Sequence, residues 1–304
     1  MSYHNSVLLH QSVDALVQNP QGIYVDCTFG GGGHSRLILE KLSPEGKLFA
    51  FDQDSDAQKN TLTDERFTLI QQNFRFIKNF LRFYKTDSID GILADLGVSS
   101  HQFDIPERGF STRFDGPLDM RMNTLQSLSA KDIVNTYSEE QLADIFYWYG
   151  ELSQSRKIAR QIVEDRKQEV LETTEQLKNL FKKTIPAHKQ NKFYAQLFQA
   201  LRIEVNDELS SLKELLTQSF ELLKPGGTLV FISYHSLEDR LVKKFIKTGL
   251  FEGEPERDIF GNWDKPFDLV SSKAIIPDED EIKENPRARS AKMRIAIKKD
   301  GKKN

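Results

Sequence analysis

The chain has one cysteine in 304 residues, Cys27, so no intramolecular disulfide can form and a reducing compartment, the cytoplasm, is expected. No apolar run approaches the roughly 20 residues needed to cross a bilayer, so no membrane partner is expected. The opening Met-Ser-Tyr-His-Asn lacks the basic and then apolar pattern of a secretory leader. The six histidines never fall at His-x-x-x-His spacing, and with a lone cysteine no metal site is expected. A large excess of one charge is also missing. The 42 Lys and Arg against 45 Asp and Glu leave a net −3, which by itself suggests no nucleic-acid partner. Charged residues at 29% and hydrophobic residues at 38% suit a folded domain and exclude wholesale disorder. The length allows one large domain or two smaller ones.

Charge is unevenly spread, however. From Lys283 to Asn304 nine basic residues stand against two acidic ones, and from Arg156 to Ile203 eleven stand against five. Such stretches attract phosphates, although solvated helix faces and a basic tail account for them equally well.

The first half alternates short apolar runs with amphipathic ones. Ile23–Cys27, Lys47–Phe51, Phe67–Gln71 and Ile89–Asp95 read as strands, and His34–Leu42, Asp54–Leu62 and Phe74–Tyr84 as helices. That rhythm predicts a parallel sheet covered on both faces. It breaks at Gly97–Asn123, a long irregular segment of the kind that is usually functional or disordered. Ser138–Arg202 is helical throughout, a candidate inserted domain. The α/β rhythm returns with helix Glu208–Leu223, the turn Lys224-Pro225-Gly226-Gly227, strand Thr228–Ser233 and helix Leu237–Lys247. Phe267–Ile276 and Lys292–Lys298 are the last expected strands.

Val25-Asp26-Cys27-Thr28-Phe29-Gly30-Gly31-Gly32-Gly33-His34 runs from a strand through four glycines into a helix. Glycines let the backbone turn sharply and approach a ligand, and the helix start presents N–H groups to it. Asp52, 20 residues after Gly32, ends the second strand, where a carboxylate can accept hydrogen bonds from both hydroxyls of a ribose. A tight strand–helix turn would need fewer glycines and no such acid. The pattern alone does not separate a nicotinamide dinucleotide from S-adenosylmethionine. Ser35 at the third glycine position of the dinucleotide fingerprint, and Asp26 four residues before Gly30, favour the latter. Asp95 closes the fourth strand at the edge where ligands of open α/β sheets lie, although an acid there can also simply cap the next turn.

At these residues the sequence resembles the RsmH (MraW) family of bacterial 16S rRNA cytosine-N4 methyltransferases. The likeness is carried by Asp26-Cys-Thr-Phe-Gly-Gly-Gly-Gly-His-Ser, Asp95-Leu-Gly-Val-Ser-Ser, Glu107-Arg-Gly-Phe-Ser and Gly116-Pro-Leu-Asp-Met-Arg-Met. It continues in Phe198-Gln-Ala-Leu-Arg-Ile, His235-Ser-Leu-Glu-Asp-Arg and Asn285-Pro-Arg-Ala-Arg-Ser. These stretches keep the family's order over nearly the whole chain. The resemblance implies an α/β class I S-adenosylmethionine-dependent methyltransferase with a Rossmann-like seven-stranded sheet. Its domain would comprise residues 1–110 and 211–304, with a helical RNA-recognition domain inserted at 111–210. It also implies that Gly32, Gly33 and His34 line the methionine end of the cofactor, that Asp52 holds the ribose, and that Phe74 packs near the adenine. Asp95 and Gln102 complete that pocket. The implied substrate is a cytidine of 16S rRNA within the small ribosomal subunit, in the decoding region. The segment 241–284 is short beside typical members, so the resemblance does not say which RNA contacts are made there.

An exocyclic cytosine amine is a poor nucleophile because its lone pair is delocalised into the ring. Acceptors aimed at the amine favour the required geometry, and Asp95 with the backbone carbonyl of Leu96 are the candidates. Amino-methyltransferases of DNA use Asp/Asn/Ser-Pro-Pro-aromatic, but here Leu96-Gly97-Val98 follows the acid. A stacking ring must come from elsewhere, with Phe103, Phe110 and Tyr234 as candidates, and His235 is a candidate base. Rival readings are a DNA cytosine-N4 methyltransferase, disfavoured by the missing prolines, and a non-catalytic RNA-binding module, disfavoured by the intact Asp52 and Asp95. Oligomeric state is not legible.

Overall fold

The computed structural model describes residues 6–300 and divides into two compact units, Met1–Gly97 with Leu209–Asn304, and Val98–Glu208. The discontinuous unit begins with α1 (Leu9–Leu16), β1 (Ile23–Asp26), α2 (Gly33–Lys41), β2 (Lys47–Phe51), β3 (Phe67–Ile70), α3 (Ile77–Phe83) and β4 (Ile89–Asp95). The helical unit carries α4 (Ser100–Asp104), α5 (Ala130–Thr136), α6 (Glu139–Trp148), α7 (Ser155–Asp165), α8 (Thr174–Asn179) and α9 (Ala187–Asn206). The chain closes with α10 (Glu208–Leu222), β5 (Leu223–Ser233), α11 (Ser236–Thr248), β6 (Phe267–Leu269), α12 (Glu279–Glu284) and β7 (Lys292–Lys298).

The seven strands form one sheet in the order β3-β2-β1-β4-β5-β7-β6. The first five are parallel, while β7 runs antiparallel to both β5 and β6. This is the class I methyltransferase sheet that the resemblance implies. Its central strands are almost continuously apolar because both faces are covered. Successive side chains point to opposite faces, so Phe49, Phe51, Leu229 and Phe231 join the core under α3, α10 and α11. Leu48, Val230 and Ile232 join the core under α1 and α2.

Four features differ from the sequence reading. The helix expected at Asp54–Leu62 is a 3-10 stretch, Ser55–Asn60. Asp52 and Asp54 take up the backbone N–H groups of Asp54 and Asp56 in competing side-chain bonds. The expected turn at Lys224-Pro225-Gly226-Gly227 lies inside β5, where the register against β4 shifts between Ile89 and Gly91. The strand expected to reach Ile276 stops at Leu269, ahead of the exposed Ser271, Ser272 and Lys273, and Ile275 pairs again with Met293. Finally, the units divide at Gly97/Val98 and Glu208/Leu209, against the 110/111 and 210/211 expected from sequence. Phe110 is buried in the helical core and Phe103 packs on it.

Within the helical unit, α9 is the central element, burying Phe193, Leu197, Phe198 and Leu201 among Ile133, Leu142, Phe146, Ile158 and Ile162. Ser99, Ser129, Ser138 and Thr173 start four of its helices with reciprocal capping boxes. The segment expected to be irregular is so apart from two short helical pieces. It holds α4 and a 3-10 turn at Pro106–Arg108, and the Arg108 guanidinium donates to the carbonyls of Arg121 and Met122. Among the described residues no helix is long and apolar enough to cross a membrane.

Candidate active site

Three neighbouring strands deliver carboxylates to one edge of the sheet. Asp26 is the last residue of β1, Asp52 follows β2, and Asp95 is the last residue of β4. The parallel register aligns Asp26 with Ala50 on one side and Leu93 on the other, so all three acids lie at the carboxyl ends of the strands.

The glycine loop is built around the first two. Buried Asp26 accepts the Thr28 N–H at 3.0 Å and the Ser35 hydroxyl at 2.6 Å, tying the loop to the start of α2. Gly30, with φ +51°, donates its N–H to Asp52 Oδ2 at 2.8 Å, and the space beside its α-carbon is open. Gly32 precedes α2 with φ +76°, and a Cβ there would meet the Phe29 ring at 2.9 Å. Gly33 opens the helix, and a Cβ on it would lie 2.1 Å from Ser6 Oγ. First-turn N–H groups of a helix have no partner inside it and are available to a ligand.

The His34 side chain is buried, with Nε2 3.1 Å from the Val7 carbonyl. A carbonyl only accepts, so Nε2 carries the hydrogen. Burial pushes the imidazole pKa below its ordinary value, with the Asp95 carboxylate acting against that shift. What His34 can offer a ligand is its backbone N–H at the helix start.

Asp52 accepts the Asp54 N–H at 2.9 Å on Oδ1 in addition to Gly30 on Oδ2. Each carboxylate oxygen has a second lone pair, so two acceptor sites remain for a diol. Phe74 begins the 3-10 turn after β3, half-buried; nearby Phe80 packs edge-on against Phe51 and Phe76 is exposed. Phe74 and Phe80 both pack against the core of the sheet. Gln102 belongs to the helical unit, where it is buried and its side chain accepts the Ser99 N–H at 3.1 Å.

At the end of β4, the Asp95 N–H donates to Thr28 Oγ1 at 2.7 Å and the Tyr234 hydroxyl donates to Asp95 Oδ1 at 2.8 Å. Gly97, with φ +134°, makes room: a Cβ there would meet the Tyr234 ring at 2.9 Å. Burial pushes each of Asp26, Asp52 and Asp95 up to about 6, even though Asp52 and Asp95 retain some solvent access. Among the described residues none of the three is ion-paired to Lys or Arg. The edge is therefore negative and uncompensated, which suits a cationic ligand.

His235 caps α11, with Nδ1 accepting the Glu238 N–H at 3.4 Å and Nε2 3.2 Å from Glu238 Oε1, so its ring serves the helix start. Asp239 pairs with Arg294 of β7 at 2.6 and 3.1 Å, an ion pair that ties α11 to the sheet.

A family model described as the MraW methylase family matches residues 1–299. The chain belongs to that family. Curated relatives of this methylase named "Ribosomal RNA small subunit methyltransferase H" include that of Flavobacterium johnsoniae, 61% identical over 298 residues and 98% of each chain. That of Bacteroides fragilis is 56% identical over the same length, again 98% of each chain. Among solved structures, a putative rRNA-methylase from Clostridium thermocellum is 15% identical with a TM-score of 0.44. The match covers 98% of this methylase and 100% of that chain, a likeness too loose to carry an inference. Sequence reasoning did not find the bonds from Thr28 and Tyr234 to Asp95, because partners 67 and 139 residues away leave no local pattern.

Proposed function

We propose that this methylase acts on a cytidine of 16S rRNA in the small ribosomal subunit, in the cytoplasm, transferring a methyl group to the exocyclic N4. The observation that carries the reading is the set of three carboxylates, without cationic partners among the described residues, beside a glycine loop that opens a helix. S-adenosylmethionine, when bound, supplies an activated methyl group on a positively charged sulfur. The sheet edge fits that cofactor on two counts: open space at Gly30 and free acceptor capacity on Asp52. Gly32, Gly33 and His34 would hold its methionine end through the backbone, Asp52 its ribose, and Phe74 would pack near its adenine. The family resemblance adds Gln102 to the cofactor residues.

Asp95 acts on the substrate amine. Tyr234 and Thr28 fix it, and its second oxygen accepts an N–H. The Leu96 carbonyl, to which no described group donates, is the second acceptor. Two acceptors on one amine draw its lone pair out of conjugation, and the negative charge of Asp95 favours the cation that develops on nitrogen. A base must leave its stack to reach such an edge. The helical unit, with the basic residues of 156–203, and Arg287 and Arg289 hold the RNA backbone.

Asp95→Asn keeps the shape and one acceptor oxygen but removes the charge. Single-turnover methyl transfer to small subunits at saturating S-adenosylmethionine should fall about 100-fold or more. Near-normal transfer would show that Asp95 only shapes the pocket.

A further inference from the structure

The hydrogen bond from Tyr234 to Asp95 is one member of a built arrangement. The ring follows β5 and its hydroxyl donates to Asp95 Oδ1 at 2.8 Å. Its own backbone N–H donates to Glu238 Oε2 at 2.9 Å, and the same carboxylate takes the His235 N–H at 3.3 Å. Glu238 is buried in the first turn of α11. Gly97, two residues past Asp95, lacks the side chain that would collide with the Tyr234 ring. The backbone of Asp95 is held separately, its N–H donating to Thr28 Oγ1. An aromatic ring needed only for packing would not require its hydroxyl to meet a carboxylate, nor an anchored backbone beneath it.

We propose that Tyr234 is a positioning residue for methyl transfer: it saturates Oδ1 of Asp95 and leaves Oδ2 as the oxygen presented to the substrate amine. The inference rests on the reading of Asp95 given above. A phenol that donates to Oδ1 directs any proton bound by Asp95 to Oδ2, the oxygen that must accept. Protonation of Asp95 therefore removes the acceptor. The phenol itself stays protonated, since burial, with Asp95 adding to it, pushes Tyr234 well above its ordinary range. The titratable groups that bear on Asp95 are buried His34 of α2, Asp26 of β1 and Glu238 of α11, with Glu281 of α12 bearing on Tyr234. Burial is the largest influence on Asp95. His34 and the Tyr234 bond lower its pKa, while Asp26 and Glu238 raise it, to about 6 in balance. Removing the phenol hydroxyl removes one of the two influences that keep Asp95 ionised.

The test is Tyr234→Phe, which keeps the ring against Gly97. It is compared with Asp95→Asn and the double variant in single-turnover transfer to small subunits at saturating S-adenosylmethionine, between about pH 5 and pH 8. Circular dichroism and thermal melting check that each variant is folded, and calorimetry measures its binding of S-adenosylmethionine. The expected result is unchanged cofactor binding, transfer slowed about tenfold at neutral pH, and an acid limb moved to higher pH. The double variant should be no slower than Asp95→Asn alone, because the two residues act as a unit. A Tyr234→Phe protein with the wild-type rate and acid limb, alongside a crippled Asp95→Asn, overturns the role of Tyr234 and leaves that of Asp95 standing. So does a pair of losses that simply add. Near-normal transfer by Asp95→Asn overturns both. Loss of cofactor binding in Tyr234→Phe overturns the proposal in favour of a contact with the cofactor.

Discussion

Asp52 shows what a single residue contributes and how its protonation limits it. It is a carboxylate with two backbone donors, no cationic partner among the described residues and a pKa raised to about 6 by burial. A group whose folded pKa lies above its unfolded value adds stability when protonated and loses that contribution as pH rises through the folded value. The unliganded protein therefore pays in stability above about pH 6 for keeping Asp26, Asp52 and Asp95 ionised. A cationic cofactor favours the ionised forms, so its binding should release protons near pH 6. Its affinity should weaken between about pH 7 and pH 5.5. Calorimetry in buffers of different ionisation enthalpy measures both effects; proton uptake on binding would contradict the account. In the same titration at neutral pH, Asp52→Ala should weaken S-adenosylmethionine by roughly 10- to 150-fold. Asp52 was legible in the sequence because strand, loop and acid lie within one βαβ unit. Tyr234 was legible only as an aromatic near a strand end.

At the scale of elements, the loop–helix junction is the most constrained piece of backbone. Gly32 adopts φ +76° with Phe29 against its α-carbon. Gly32→Ala should cost about 1–2 kcal/mol from the left-handed conformation alone. The shift of the denaturant midpoint at constant slope measures it, and an unchanged midpoint would mean the loop relaxes freely. The elements that the sequence misrepresented are those in which side chains compete with the main chain. Asp52 and Asp54 draw backbone donors out of an expected α-helix, and an expected strand stops ahead of the exposed Ser271 to Lys273. The basic turn at Pro286–Ser290 has its own test. If Arg287 and Arg289 hold phosphates, replacing both with Ala raises the RNA requirement, flattens the salt dependence of transfer and leaves cofactor affinity intact. Unaltered kinetics on small subunits at every salt concentration would make this a merely solvated turn.

For the molecule as a whole, the strand–helix rhythm of the first half and its return after Glu208 were enough to expect an interrupted α/β sheet. The strand order itself was implied by the family resemblance, not by periodicity. The edges of the inserted unit were displaced because Phe103 and Phe110 looked like loop residues, and only the packed structure puts them in a helical core. Function follows from the fit between a negative, uncompensated sheet edge and a cationic methyl donor, within a family of methylases. The most direct measurement is tritiated methyl transfer from S-adenosylmethionine to small subunits lacking the modification, run beside duplex DNA and followed by nucleoside analysis. The account predicts label in N4-methylcytidine from the subunit and none in DNA. Label in DNA, in another nucleoside, or in neither substrate would contradict it.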